Sequence, residues 1–259
     1  VLQHHHYSMV KKILFSGMLA ALFFSACKKE TEDFKTPAIS EYVPLQVGKY
    51  ITYQLDSFRY LPFSTQGVTI SYQVKFLVDA EITDNLGRPA FRIVRMIRPD
   101  GGTAWTPDNS FTAINTGTGY EFVDNNLRFI KMKAPIKNGY SWKGNSYIDV
   151  TSTDPNSPVF TYLDGWDYTY DSLNAPLTLG AISVDSTVKV AQRDEVIGNP
   201  DDTGSYSEKN YGVEYYAKGI GLVYKKIFHS EYQPPTTSGG SGYYSDASKG
   251  FTLTMIDHN

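Results

Sequence analysis

The chain is 259 residues long, 41% hydrophobic, 14% aromatic and 20% charged, with a single cysteine. One thiol excludes a disulfide-stapled scaffold and a cysteine-ligated metal centre, while 20 Tyr, 14 Phe and 3 Trp carry too much apolar surface for a disordered chain. The formal charge of −3 becomes −5 once Lys11 and Lys12 near the N-terminus are set apart, which leaves no basic stripe to neutralise phosphates, so nucleic acid is not an expected partner.

Residues 1–8, with His4, His5 and His6, precede the first Met and are set aside from fold reasoning as upstream sequence. From Met9 the chain reads Val10, Lys11, Lys12, a short apolar run over 13–24, then Ser25, Ala26 and Cys27. A basic start, a short apolar stretch and small residues make a cleaved secretory signal. The run spans about 18 Å as a helix, short of a ~30 Å hydrocarbon core, so it is not a transmembrane span. Phe24-Ser25-Ala26-Cys27 resembles the lipobox of bacterial lipoproteins, although Phe24 stands where that motif prefers Leu. The resemblance implies lipidation of Cys27; the alternative is an ordinary signal with an incidental cysteine. Residues 27–40, opening Lys28-Lys29-Glu30-Thr31-Glu32-Asp33, read as a flexible tether. Lysines followed by acids there resemble the surface-export signals of Bacteroidota lipoproteins, and a plain solvated linker is the alternative.

From residue 41 the hydrophobic period is two. Strands are expected over 51–60, 68–78, 91–98, 120–123, 127–133, 166–170, 182–190, 211–217, 222–232 and 251–256. Val68, Ile70, Tyr72, Val74, Phe76 and Val78 form one buried face. A parity change in the first strand suggests a bulge near Asp56-Ser57, or an end at Leu55. Turn signals at 84–87, 99–102, 124–126 and 218–221 imply closely spaced hairpins. Irregular stretches are expected over 152–158, 197–207 and 233–242, the last as a mobile loop. The fold expected is all-β, a single curved antiparallel meander closed as a barrel or half-barrel, with a β-sandwich as the alternative, and residues 41–259 forming one domain.

Pro44 to Gly48, Pro135 to Gly139 and Pro176 to Gly180 repeat a Pro-x-x-x-Gly pattern at irregular intervals, which reads as a strand-entry device rather than a solenoid repeat. Tyr216-Ala217-Lys218-Gly219-Ile220-Gly221-Leu222-Val223 and the opening Pro44-Leu45-x-x-Gly48-Lys49-Tyr50 resemble segments of uncharacterised β-rich lipoproteins of Bacteroidota. That resemblance implies an envelope setting and supplies no catalytic residues.

Chemistry is sparse. Beyond the signal only His229 and His258 remain; the first is expected as an exposed strand histidine on the face of Lys225 and Glu231, the second in a fraying terminus, so no Ser-His-Asp set is expected. Two distant histidines do not make a zinc site, and Asn199-Pro200-Asp201-Asp202-Thr203-Gly204 with Glu208 lacks EF-hand spacing, so no metal or cofactor is expected. Asp164 and Asp167 point to opposite faces if extended, and Glu81 with Asp149 awaits the fold. The positive hint is aromatic: Trp166, Tyr168 and Tyr170 on one face, as core or as a sugar-stacking platform, with Tyr243 and Tyr244 at a loop tip. Together these features suggest a lipid-anchored outer-membrane lipoprotein, on the cell surface or the periplasmic face, whose β domain binds a glycan, an amphipathic ligand or an envelope protein without catalysis. A carbohydrate-active hydrolase with paired carboxylates and a structural subunit of an envelope assembly are the alternatives.

Overall fold

The computed structural model describes residues 36–151 and 161–259. The signal, Cys27, residues 28–35 of the tether and the stretch 152–158 lie outside the described residues. The strands are β1 (Tyr50–Tyr60), β2 (Gly67–Thr83), β3 (Pro89–Pro99), β4 (Thr106–Asn115), β5 (Gly119–Asp124), β6 (Leu127–Lys133), β7 (Ser141–Lys143), β8 (Asp167–Leu179), β9 (Ile182–Gly198), β10 (Ser207–Ala217), β11 (Gly221–Gln233), β12 (Tyr243–Tyr244) and β13 (Lys249–His258). A single helical turn, α1 (Ile39–Tyr42), precedes them, and a 3₁₀ turn (Thr161–Leu163) precedes β8.

The protein is all-β, and its strands form one antiparallel sheet in the order β6-β5-β4-β3-β2-β1-β13-β11-β10-β9-β8-β7, with β12 on β11. The expected curved meander is therefore built as two meanders, β1 to β6 and β7 to β11, running in opposite directions from a shared centre. β13 joins them, pairing with β1 and with β11. His258 is thus not in a fraying terminus: it pairs with Ile51, and Asn259 accepts the Tyr50 N–H through Oδ1 at 2.7 Å.

Curvature comes from irregular registers. Bulges interrupt β2 against β3, β3 against β4, β5 against β6, β9 against β10 and β8 against β9, and each adds local twist. The bulge of the first strand is not at Asp56-Ser57; it falls between Thr52 and Tyr53 against β13, while pairing with β2 runs unbroken from Tyr50 to Tyr60. Of the face expected on β2, Val74 and Val78 are buried, whereas Ile70 is exposed, lying beyond the reach of β3, whose pairing with β2 ends at Tyr72.

The curl brings the two edges together. Ile130 of β6 donates its N–H to the Gly144 carbonyl at 2.8 Å, and Trp142 of β7 donates its indole N–H to the Ile130 carbonyl at 2.8 Å. The Tyr170 hydroxyl of β8 accepts the Lys133 N–H at 2.9 Å and donates to the Lys133 carbonyl at 2.8 Å. One backbone bond and three side-chain bonds thus stand in for a ladder along the seam, satisfying edge groups that would otherwise be costly or sticky. The barrel is nearly closed.

Pro176 sits inside β8, where the pairing with β9 slips between Ala175 and Leu177, so the missing N–H falls at an irregularity. Gly48 and Gly139, at φ 93° and 77°, turn the chain into β1 and β7, as a strand-entry device should; Gly180 instead closes the β8–β9 hairpin.

Candidate functional site

The inner wall of the curl is built by strand alternation. Tyr53 and Leu55 of β1, Phe76 and Val78 of β2, Ile93 and Arg95 of β3, Phe111 of β4, and Tyr120, Phe122 and Asp124 of β5 line one cavity. Glu214 and Tyr216 of β10, Lys225 of β11, and Phe251 and Leu253 of β13 complete it, together with Lys131 of β6 and Leu45 of the segment before β1. Its volume is about 260 Å³. That is just under the ~300 to 1,000 Å³ usual for small-molecule sites, too small for a peptide or an oligosaccharide.

One wall carries charge. Glu214 and Lys225 face each other across β10 and β11, and the Glu214 side chain is only 1% exposed. Lys131 reaches them because the β5–β6 register slips between Tyr120 and Glu121, leaving Lys131 as the extra residue of a bulge that turns both it and Met132 inward. Lys131 Nζ lies 2.9 Å from Glu214 Oε1, and Lys225 Nζ lies 3.4 Å from the same oxygen. The Tyr216 hydroxyl donates to Glu214 Oε2 at 2.7 Å. Phe129 and Phe251 rings flank the two ammoniums, at 4.6 Å from Lys131 and 5.3 Å from Lys225.

Burial alone pushes the Glu214 carboxyl upward, but the Lys131 and Lys225 charges and the two donors outweigh it and hold the group at about 2. Burial lowers the Lys225 ammonium, and the neighbouring Lys131 charge adds to that; Glu214 and Asp124 oppose it. Tyr120 and Tyr216 are both pushed upward, chiefly by burial and then by the Glu214 charge, so they remain neutral hydroxyls. Asp124 Oδ1 is buried on the same cavity and has no hydrogen-bond partner among the described residues.

Farther along the same two strands lies a second polar group. Asn210 and His229 are cross-strand partners, and His229 is buried at 4% exposure. The expectation of an exposed histidine is therefore overturned: the face it shares with Lys225 and Glu231 is the inward one of a curled sheet. Its Nδ1 lies 2.7 Å from Asn210 Oδ1 and its Nε2 3.2 Å from Glu231 Oε1, with Tyr162 stacked on the ring at 4.6 Å. Asn210 Nδ2 donates to Glu208 and Glu195, and Ser245 donates to Glu231.

The aromatic residues singled out by the sequence sit elsewhere. Trp166, Tyr168 and Tyr170 are 3%, 1% and 0% exposed, so they offer no open stacking platform. Trp166 donates its indole N–H to the Tyr162 carbonyl and packs against Gly212, where a Cβ would meet the ring at 2.6 Å. Tyr168 packs over Gly144 and donates to Asn145 at 2.9 Å. Tyr243 and Tyr244 are half-buried: Tyr244 stacks on Tyr60 at 3.9 Å and Tyr243 packs near Phe63. None of the five lines the cavity. What the sequence reading missed is Glu214 with Lys225. They lie symmetrically about the turn at 218–221, so a hairpin register places them opposite one another, and the signal was present.

The acidic candidates remain on the surface. Asp164 and Asp167 are exposed, Asp167 pairing with Lys143, and Glu81 and Asp149 are exposed as well. Asp202 caps its own turn by accepting the Gly204 N–H and the Ser205 hydroxyl. Among the described residues no group of three or more His, Cys, Asp or Glu side chains is placed to hold a metal ion. Among the described residues no helix is long and apolar enough to cross a membrane.

No protein-family model matches the chain, and no curated protein does. Among solved structures, the fold is similar to that of a Bacteroides fragilis protein described as exported and of YmcC-like fold, with a TM-score of 0.37 and 11% identity over 83% of this chain and 96% of that one.

Proposed function

We propose that the protein is a lipid-anchored envelope lipoprotein whose β domain binds a small amphipathic ligand inside the curled sheet, without catalysis. The observation that carries this reading is the cavity: aromatic and aliphatic on most sides, with polar groups gathered on one wall. The anchor rests on the signal, the Phe24-Ser25-Ala26-Cys27 motif and the polar stretch after it. The expectation of a flexible tether through residue 40 is too long: Ile39 and Ser40 already belong to α1, and the segment from there on packs into the β domain. Ile39 and Tyr42 of α1 are buried in the core, the Glu41 carbonyl accepts the Gly219 N–H at 2.7 Å, and Leu45 and Lys49 line the cavity. Anchor and ligand space are therefore neighbours along the chain.

The hydrolase alternative asks for two inward acids in an aromatic cleft, and Glu214 with Asp124 fits that description. Its chemistry fits poorly. A general acid needs a raised carboxyl, whereas Glu214 is held at about 2 with both oxygens occupied by donors. A glycan of more than one ring also exceeds the available space.

The test uses the full chain carrying Cys27→Ser. Membrane fractionation should show release relative to the parent. Straight-chain amphiphiles of six to ten carbons should raise its unfolding temperature, by mass action on the folded state, and the cavity-filling variant Val78→Phe should abolish that shift. Unchanged membrane retention would remove the anchor. An unfolding temperature indifferent to every amphiphile would favour the structural-subunit reading.

A further inference from the structure

The polar wall of the cavity can be read for the charge of what it holds, an inference that rests on the binding reading above. Its ionisable groups are Glu214, Lys131, Lys225 and Asp124, whose formal charges cancel; Arg95 is neutralised by Asp108, and Lys49, which lines the cavity away from this wall, donates to the Asn259 carbonyl. A ligand that brought a full charge into this wall would leave one charge uncompensated in an apolar enclosure, which costs far more than burying a hydrogen-bonded neutral group.

The hydrogen-bond ledger is more specific than the charge. Both oxygens of Glu214 are taken, by Lys131 and by Tyr216. Lys225 Nζ has three donors and only a 3.4 Å contact to an oxygen that already serves Lys131, so it has donors to spare. Asp124 Oδ1 is a buried acceptor with none of its capacity used. The two lie on the same cavity, near enough that the Asp124 charge acts on the Lys225 ammonium. The wall thus offers one free acceptor and one under-used donor. Leaving either unpaired away from water carries a penalty that a matching ligand group would remove.

We propose that the cavity selects a neutral amphiphile whose head both donates and accepts a hydrogen bond, such as an alcohol, with the head's O–H directed at Asp124, its oxygen accepting from Lys225, and the tail packed among Phe76, Phe111 and Phe122. A carboxylate would satisfy Lys225 but leave Asp124 facing another acceptor. An alkylammonium would satisfy Asp124 but confront Lys225 and Lys131.

Titration calorimetry on the full chain with Cys27→Ser, using 1-octanol, octanoate and octylammonium as probes at neutral pH, tests this. Octanol should bind at least tenfold more tightly than either ion. Asp124→Ala and Lys225→Met should each weaken octanol about tenfold, and Val78→Phe should abolish binding. Lys225→Met retains the Lys131 to Glu214 pair, so the fold is kept, and Asp124→Ala removes no existing bond. Tightest binding of octanoate, lost in Lys225→Met, would overturn the proposal in favour of an anion site. Tightest binding of octylammonium, lost in Asp124→Ala, would do so in favour of a cation site. Equal binding of all three would show that the wall does not select, leaving the cavity reading intact. No binding of any probe would remove the binding reading along with the inference.

Discussion

The β10–β11 hairpin carries two buried polar groups on one inward face, and they are finished differently. Around His229, Asn210 bridges to Glu208 and Glu195, Glu231 takes Ser245, and Tyr162 closes over the ring, so each of these polar side chains has a partner; beyond them, Gln192, packed on Gly212 beside Trp166, has none among the described residues. Around Glu214, four register steps away, the carboxylate is saturated, yet the surrounding wall borders the cavity and leaves Asp124 Oδ1 unmatched among the described residues. A polar network that is complete within the protein holds the structure; one that is complete except where it meets a cavity is prepared for something else. The difference lies in what stands opposite. The connection between β7 and β8 supplies Tyr162 and Trp166 to fill the curl near His229, and the segment before β1 covers the other region without filling it.

The strongest way to break this comparison is to remove the centre of the cavity wall. Glu214→Ala strands the Lys131 ammonium, and Lys225 with it, so it should destabilise the fold by about 3 to 5 kcal/mol, measured by denaturant titration. A loss below about 1 kcal/mol would mean that water already solvates the lysines and that the wall is not dry.

Acid should sharpen the same point. Because the Glu214 carboxyl is depressed from 4.5 to about 2 in the folded state, its contribution is fully present above the unfolded value and is lost as pH falls through the folded one. Asp84, held low chiefly by Arg88 against the effect of burial, and Glu121, which burial pushes up but Arg88 and Arg128 together hold low, add to the acid sensitivity. The Glu214 share is isolated by comparing the parent with Glu214→Gln. Their difference in unfolding free energy should be greatest at neutral pH and shrink between about 4.5 and 2. A difference that does not change across that window would deny the ion-pair network its role.

The closed network should respond less. His229→Ala leaves Asn210 Oδ1 without its donor and Tyr162 without its stacking partner, a cost of about 1 to 3 kcal/mol. Amphiphile affinity should be unchanged in that variant. A parallel loss of affinity would join the two regions into one functional unit.

Much of the scaffold was legible in the sequence because alternation and turns are local. The strand over 127–133 matches its expected bounds, and most others were found with their ends cut short. β4, β7 and β12 were missed: β4 reads Thr-Pro-Asp-Asn-Ser before its first large apolar residue, and the other two are too short to show a period. The site was much less legible. A two-residue period says which residues share a face, but the sense of that face comes from curvature, and in an open sheet Lys225, His229 and Glu231 would indeed face water. Likewise Trp166, Tyr168 and Tyr170 share a face, as expected, but only the closing of the sheet onto β6 decides that this face meets the core and that Tyr170 serves as a seam bond. Lys131 was hidden by its bulge, because a two-residue period cannot place a residue that stands outside the pairing.

The smallest effect is expected at the cavity wall, and a fully partnered carboxylate elsewhere in the fold gives the contrast. In the fully partnered Asp84, whose carboxylate accepts from Arg88, from the Leu86 and Arg88 backbone N–H groups and from Arg128, replacement by Asn removes charge-assisted bonds and must destabilise. Among the described residues Asp124 accepts none through its buried oxygen, so Asp124→Asn removes a desolvation penalty without removing a bond, while giving up attraction to the Lys225 ammonium, which shares Glu214 with Lys131. These terms oppose each other, and the change in unfolding free energy without ligand should fall within about 0.5 kcal/mol of zero, on either side. Stability and binding should then part company, because a group kept unsatisfied for a ligand is one whose loss is felt only when the ligand is present. Thermal unfolding of Asp124→Asn with and without saturating 1-octanol measures both. A variant that unfolds several degrees lower without octanol would show that Asp124 has a structural partner after all, and that the two networks are finished in the same way.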